Sequence, residues 1–102
     1  MASFSLRWTT KARISLNSIL EFYLIQNGNA IYSVALAGEI EKGVKILCKH
    51  PLSGKSICLQ DIHELVFERN SVFYRIVNQE IHILLVWDNR KNPELLKQLL
   101  EK

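Results

Sequence analysis

The run Ile81-His82-Ile83-Leu84-Leu85-Val86-Trp87 is apolar at every position except His82, and any fold for this chain must cover it. A strand with one wet face alternates apolar and polar residues, whereas a continuous run of this kind needs cover on most of both faces. It is far shorter than the roughly 18 residues of a membrane span, so it reads as the central strand of a sheet. Two shorter runs precede it, Ile62 to Glu68 and Val72 to Val77, and the connections between them are too short for a parallel crossover. In the first, His63, Leu65 and Phe67 share a face opposite Ile62, Glu64, Val66 and Glu68. In the second, Val72, Tyr74 and Ile76 oppose Phe73, Arg75 and Val77. The expectation is a three-stranded antiparallel meander.

The first half of the chain changes period. Ser3 to Trp8 alternates, which predicts a short strand. Thr9 or Thr10 can then cap a helix whose stripe is Ala12, Leu16, Ile19, Leu20 and Tyr23, ending near Gln26. Asn27-Gly28-Asn29 is a turn signal, with Asn29 a cap for a second helix running to about Lys49. Its expected stripe is Ile31, Val34, Ala35, Ala37, Ile40, Val44, Leu47 and Cys48, and the two helices should form an antiparallel hairpin. His50-Pro51-Leu52-Ser53-Gly54 stops the second helix, and a loop is expected to about Asp61. Near the C-terminus, Asn92-Pro93-Glu94 combines a cap, a first-turn proline and an acid, starting a helix with Leu95, Leu96, Leu99 and Leu100 on its apolar edge. The order is strand, two-helix hairpin, three-stranded antiparallel meander and short C-terminal helix, an α+β class with helices expected on one face of the sheet.

A chain of 102 residues, 48% of them hydrophobic, is expected to form one domain with a single core. The net charge of +3 lies entirely within residues 1 to 61, a distribution that suits an acidic protein segment or a nucleic-acid backbone. Cys48 and Cys58 lack the number and spacing of a disulfide framework and are expected as free thiols in a reducing compartment. His50, His63 and His82 are scattered over a loop and two strands without neighbouring ligands, so neither a metal site nor another cofactor is expected. The N-terminal residues lack the basic and apolar regions of a signal peptide. The expected location is the cytoplasm, without a membrane partner.

With these elements in place, a family resemblance emerges. Trp8-Thr9-Thr10-Lys11-Ala12, Ile19-Leu20-Glu21-Phe22-Tyr23, the Pro51 to Gly54 stop, Glu64-Leu65-Val66, Phe73-Tyr74-Arg75-Ile76 and Ile83 to Arg90 follow one another as in RelE/ParE toxins. The resemblance spans Leu6 to about Leu95. The segment Val86 to Glu94 is similar to a ParE-type branch in which Trp-Asp-x-Arg precedes a short C-terminal helix. What the resemblance implies is a toxin held inactive by an antitoxin whose flexible C-terminal segment wraps it, in a hetero-oligomer. Released, RelE-like members cut messenger RNA on the ribosome and ParE-like members block DNA gyrase.

Cutting RNA requires a proton acceptor, cations at the phosphorane and a donor to the leaving oxygen. Against the ribonuclease branch, Ser71 stands where an arginine is carried, and Ile62 and Glu64 stand where lysines are. No tyrosine follows Tyr74, and Asp88 replaces a histidine found in many relatives. The remaining catalytic candidates are Glu64, Arg75 and Arg90. Glu64 is either a general base or an exposed strand glutamate. Arg75 either binds a phosphate or acidic group or pairs with Glu64 or Glu68 across the sheet. Candidate partner contacts are Lys42, Lys45 and Lys49 along the second helix, Arg75, Arg90 and Lys91, and Leu95 and Leu99. The lysines also suit a helix C-terminus, and the leucines are either a lid over the core or part of an antitoxin groove. Arg75 and Arg90 are expected near one open surface. The incomplete acid-base set favours the ParE-type reading over a ribosome-dependent endoribonuclease, with a degenerate antitoxin-binding or DNA-autoregulatory module as a third reading.

Overall fold

The structure, a computed structural model, describes residues 3–57 and 61–101. The elements follow in the order β1 (Ser5–Trp8), α1 (Thr10–Asn27), α2 (Ile31–Leu47), β2 (Lys55–Ser56), β3 (Ile62–Phe67), β4 (Asn70–Val77), β5 (Glu80–Asp88) and α3 (Pro93–Leu100). Among the described residues the strands form one five-stranded sheet in the order β1-β5-β4-β3-β2. The expected antiparallel meander is its centre. Two strands extend it: β2 forms inside the expected loop and pairs with β3, and β1 returns from the N-terminus to lie parallel to β5. Cys58 lies outside the described residues.

The start signals act locally as their chemistry requires. Thr9 Oγ1 accepts from the Ala12 amide, whereas the cap of the second helix is Ala30 and not the expected Asn29, whose Oδ1 accepts from the Ile31 amide from one residue further out. Asn92 Oδ1 accepts from the Glu94 amide, one residue after Pro93 enters the helix. Gly28 closes α1 at φ +70°, a left-handed geometry that a Cβ would strain.

The second helix departs from expectation in its first half. Its buried side is Ser33, Leu36, Ile40, Val44 and Leu47, whereas Ile31 and Val34 are 78% and 69% exposed. Ser33 faces α1 because its hydroxyl is satisfied there, donating to the Leu20 carbonyl at 2.7 Å. A small hydrogen-bonded side chain therefore sets the helix phase that hydrophobicity alone assigns to its larger neighbours.

The expectation that the helices share one face is also corrected. The α1/α2 hairpin covers Val72, Tyr74, Ile81, Ile83 and Val86. On the reverse face α3 brings Leu96, Leu99 and Leu100 onto Ile62, Phe73, Leu85 and Trp87. A β-bulge makes both coats possible: Phe73 is opposite Leu85 and Tyr74 is opposite Ile83, leaving Leu84 as the extra residue. Past that point the alternation resets, so Val86 joins Ile81 and Ile83 beneath the hairpin while Leu84, Leu85 and Trp87 go to the α3 side.

The loop after α2 is fastened by Tyr74, whose buried hydroxyl donates to the Pro51 carbonyl at 2.8 Å and accepts from the Gly54 amide at 3.0 Å. A Cβ on Gly54 would lie 2.7 Å from the Glu64 carbonyl oxygen and 2.7 Å from that hydroxyl, so only glycine fits. Gly54→Ala should therefore destabilise the protein by about 1–3 kcal/mol, lowering Tm by roughly 4–8 °C per kcal/mol. Gly38→Ala, on an exposed stretch of α2 where a Cβ meets nothing within 4 Å, should instead stabilise by roughly 0.5–1 kcal/mol. Thermal melts of the two variants check both signs.

Candidate recognition site

Asp88, the last residue of β5, ends the strand on the hairpin side, and the turn that follows folds Arg90 back over it. The Arg90 amide and Nε donate to Asp88 Oδ1 at 3.0 and 3.1 Å, and Nη2 donates to Oδ2 at 2.9 Å. The guanidinium lies 5.4 Å from the centre of the Tyr23 ring and also donates to the Tyr23 hydroxyl. Tyr23 reaches this corner because it continues the buried stripe of α1, and Tyr32 from α2 meets its ring edge-on at 4.7 Å. Hydrogen bonding from Arg90 holds the Asp88 carboxyl below the usual carboxylate range, and Asp88 in return raises the basicity of Arg90. The Asp88 side chain is 7% exposed and that of Arg90 48%. The result is an immobilised arginine with part of its fork facing solvent, followed in the chain by exposed Lys91.

Glu64 sits on the reverse face in a closed network. Ser71 is fully buried, and its hydroxyl donates to Glu64 Oε2 at 2.6 Å while accepting from Asn89 Nδ2 at 2.9 Å. Lys55 Nζ is 3.9 Å from the other carboxylate oxygen. Glu64 also borders a cavity of about 480 Å³ walled by Ile57, Phe73, Pro93, Leu96, Lys97 and Leu100. Its surroundings are thus mostly apolar side chains drawn together by α3, with an internal serine hydroxyl as its short partner.

Arg75 and Arg90 do not share a surface. Arg75 is opposite Ile62 and His82 on the α3 side of the sheet, whereas Arg90 stacks on Tyr23 on the hairpin side. Asp88 lies six positions along the chain from His82, about 20 Å of strand. Arg75 instead lines a cavity of about 180 Å³ with Thr9, Lys11, Leu84, Leu99 and Leu100. The two leucines proposed as partner contacts also divide. Leu95 is 46% exposed, while Leu99 is partly buried against the α3-side core, since the 96/99/100 edge is the one turned to the sheet.

Lys42 and Lys45 lie exposed on α2 and Lys49 in the turn just after it, with Lys45 paired to Glu41 at 3.1 Å. Beside them the helices diverge over β1, leaving a groove of about 370 Å³ floored by Leu6, Trp8, Leu16, Ile40 and Val44, with Arg13, Glu41 and Lys45 at its margin. Among the described residues no helix is long and apolar enough to cross a membrane, and no group of three metal-ligating side chains comes together. Sequence reasoning missed Tyr23 as a site residue. The available signal was a carboxylate two residues before an arginine at a strand end, a spacing that asks for a third group to complete the fork.

Residues 6–93 match the family model described as the ParE toxin of the type II toxin-antitoxin system, parDE. This chain belongs to the ParE toxin family. Among solved structures, the chromosomal ParDE toxin-antitoxin system from P. aeruginosa is similar at 26% identity and a TM-score of 0.74, over 84% of this chain and 96% of that one. The toxin-antitoxin complex RelBE2 from Mycobacterium tuberculosis shares the fold at 22% identity, with a TM-score of 0.63 over 89% and 97% of the two chains. A mutant of the E. coli toxin RelE in its free state does so at 8% identity, with a TM-score of 0.66 over 97% and 96%. No curated protein matches the chain. Fold likeness at 8% identity leaves chemistry undetermined, so for this ParE-family member the site itself must speak to mechanism.

The Asp88 corner has a pH signature. Because its folded pKa lies below the usual 3.8, the Asp88 contribution to stability is complete above about that pH and is lost as pH falls through the folded value. Asp88→Asn should therefore lower Tm most near neutrality, with the gap from the parent protein narrowing as pH drops below 3.8. A gap that stays constant down to pH ~2 in thermal melts would mean the carboxylate charge does not hold Arg90.

Proposed function

We propose that this ParE-family toxin inhibits growth by binding its target rather than by cutting RNA, with DNA gyrase the target class, and that an acidic antitoxin segment holds it inactive. The observation that carries the first part is the Glu64-Ser71-Asn89 network. At the position where ribonuclease relatives carry an arginine, the chain has a buried serine whose proton goes to the Glu64 carboxylate. That position therefore supplies no cation to a transition state, and Glu64 is engaged by the serine proton. Arg90 supports the second part of the mechanism. Held on Asp88 and Tyr23, it presents its remaining donors without having to be ordered on contact, the kind of preorganised arginine that anchors interfaces. Exposed Lys91, next in the chain, extends that surface.

For the antitoxin, the relatives from P. aeruginosa and M. tuberculosis are described as a toxin-antitoxin system and complex, which supports a hetero-oligomer here. The apolar groove over β1 and the exposed Lys42, Lys45 and Lys49 beside it suit an acidic segment with apolar anchors. Apolar anchors then supply affinity and the lysines accelerate encounter.

Two outcomes follow. Induced without antitoxin, the parent protein should inhibit gyrase supercoiling and leave transcripts intact, while Arg90→Ala relieves growth inhibition and still melts cooperatively. Rapid codon-positioned cleavage with normal supercoiling would overturn the binding mechanism. Reversing Lys42, Lys45 and Lys49 to Glu should slow antitoxin association about ten-fold at low salt with little change in dissociation. Equal association rates in stopped-flow mixing would remove the electrostatic role assigned to α2.

A further inference from the structure

No residue between Glu21 and Glu39 is charged, a run of 17 positions in a chain that is 23% charged. The run folds back on itself as the end of the helical hairpin, with the last turns of α1 beside the first turns of α2. Ser33 of α2 donates to the Leu20 carbonyl, and the Tyr32 ring meets that of Tyr23. Ile19 and Tyr23 of α1 and Leu36 and Ile40 of α2 turn to the core, which leaves Leu24, Ile25, Ile31 and Val34 facing outward. Phe22 stands half-exposed about one turn before Ile25. Each of the five is between 45% and 78% exposed, together roughly 600 Å² of apolar surface, the upper end of what a monomer leaves uncovered. None of the five lines the groove over β1.

We propose that this charge-free end of the hairpin is a self-association surface, on which a second copy of the chain docks in a two-fold symmetric contact. Symmetry supplies the constraint. In a two-fold contact the same patch meets itself, so a charged residue near the axis faces its own like charge. For a chain of net charge +3 the surface that escapes this repulsion is one without charges, and residues 22–38 are the longest such stretch. The area agrees, since two such patches bury about 1,200 Å², the low end of specific protein interfaces. Other occupants fit less well. An acidic segment finds no lysine or arginine in the stretch to meet it. A helix lying on a membrane carries those residues on its polar face to engage headgroups, and this stretch has neither. The inference goes beyond the toxin reading, and its five contact residues are separate from those on which that reading rests.

Sedimentation equilibrium on the purified full chain tests the contact whether or not the chain inhibits growth. It should show a monomer passing to a dimer, with a Kd on the order of 10–100 µM for an uncharged interface of this size. Raising salt from about 50 to 500 mM should leave that Kd unchanged or lower it, because the contact contains no ion pair to screen. Ile25→Lys and Ile31→Lys, at exposed positions, should each weaken association at least about ten-fold by setting like charges across the axis. Leu52→Lys, at a residue exposed to the same degree outside the stretch, should change it less than about two-fold. In the unmodified protein, amide shifts between about 20 and 500 µM should cluster within residues 22–38, a readout that does not depend on any variant folding. A monomer at about 500 µM leaves the patch to a different protein and overturns the proposal. Equal loss of association in Leu52→Lys, or shifts centred on α3 or β2, overturns it too. So does growth of the mass past the dimer, since a two-fold contact closes. Binding to phosphatidylcholine vesicles at concentrations where no dimer forms would assign the patch to lipid and likewise overturn it.

Discussion

β5 must be satisfied on four sides at once, and most of the molecule is the solution to that requirement. Its two edges are paired, antiparallel to β4 along its length and parallel to β1 only as far as Trp8 and Ile83. Beyond that point β1 gives way to α1, and the helix takes over the edge. The Thr9 amide and hydroxyl both donate to the Ile83 carbonyl, and Ser15 Oγ accepts from the Val86 amide at 2.9 Å. A buried backbone donor without a partner costs about as much as a lost hydrogen bond, so a serine inside an amphipathic helix here replaces a missing strand residue. The two faces are covered by separate layers, and the Leu84 bulge assigns the later residues to them.

The Arg90 corner and the Glu64 network are the two ends of that arrangement. Where β5 stops, on the hairpin side, Asp88 is almost buried and needs a cation. Arg90 supplies it from the next turn and is itself braced by a tyrosine from α1. On the other side, the same stretch of β4 and β5 places Ser71 and Asn89 against Glu64. One polar cluster therefore leaves an arginine half open to solvent, and the other closes on itself beneath α3. Two related chains can share this frame and differ in chemistry, because the frame needs only apolar β5 positions and satisfied backbone, not particular side chains at the strand ends.

Charge follows a different logic from packing. The excess of basic residues in the first 61 positions suggests one cationic surface, yet the fold distributes it. Lys42 and Lys45 go to the exposed side of α2 with Lys49 in the turn after it, Arg13 stacks over Trp8 at the groove margin, and Arg7 and Lys11 face the α3 side. Arg75, from the electrically balanced half, falls on the same face as Arg7 with His82 between them. Linear charge counts predict neither grouping, because Arg7 and its cross-strand neighbour His82 are 75 residues apart in the chain.

What the sequence determined by itself is local. The helix starts at Thr9 and Asn92, the stop at Gly28, the alternation of β3 and β4 and the continuous apolarity of β5 depend on side chains acting on backbone within a few residues, and they can be read without knowing the fold. The Trp-Asp-x-Arg ending was legible too, since a carboxylate two residues before an arginine forms its pair within a single turn. Only the tertiary structure decided which side chains meet across distance. The parallel return of β1 depends on a contact between chain ends, and the placement of α3 on the reverse face depends on which side of β5 remained uncovered. The burial of Ser33 in place of Val34 depends on a carbonyl of another helix. A single unpaired residue at Leu84 exchanges the faces of everything after it, because side chains alternate with a period of two. No periodicity in a continuously apolar strand reports where that one-residue shift falls.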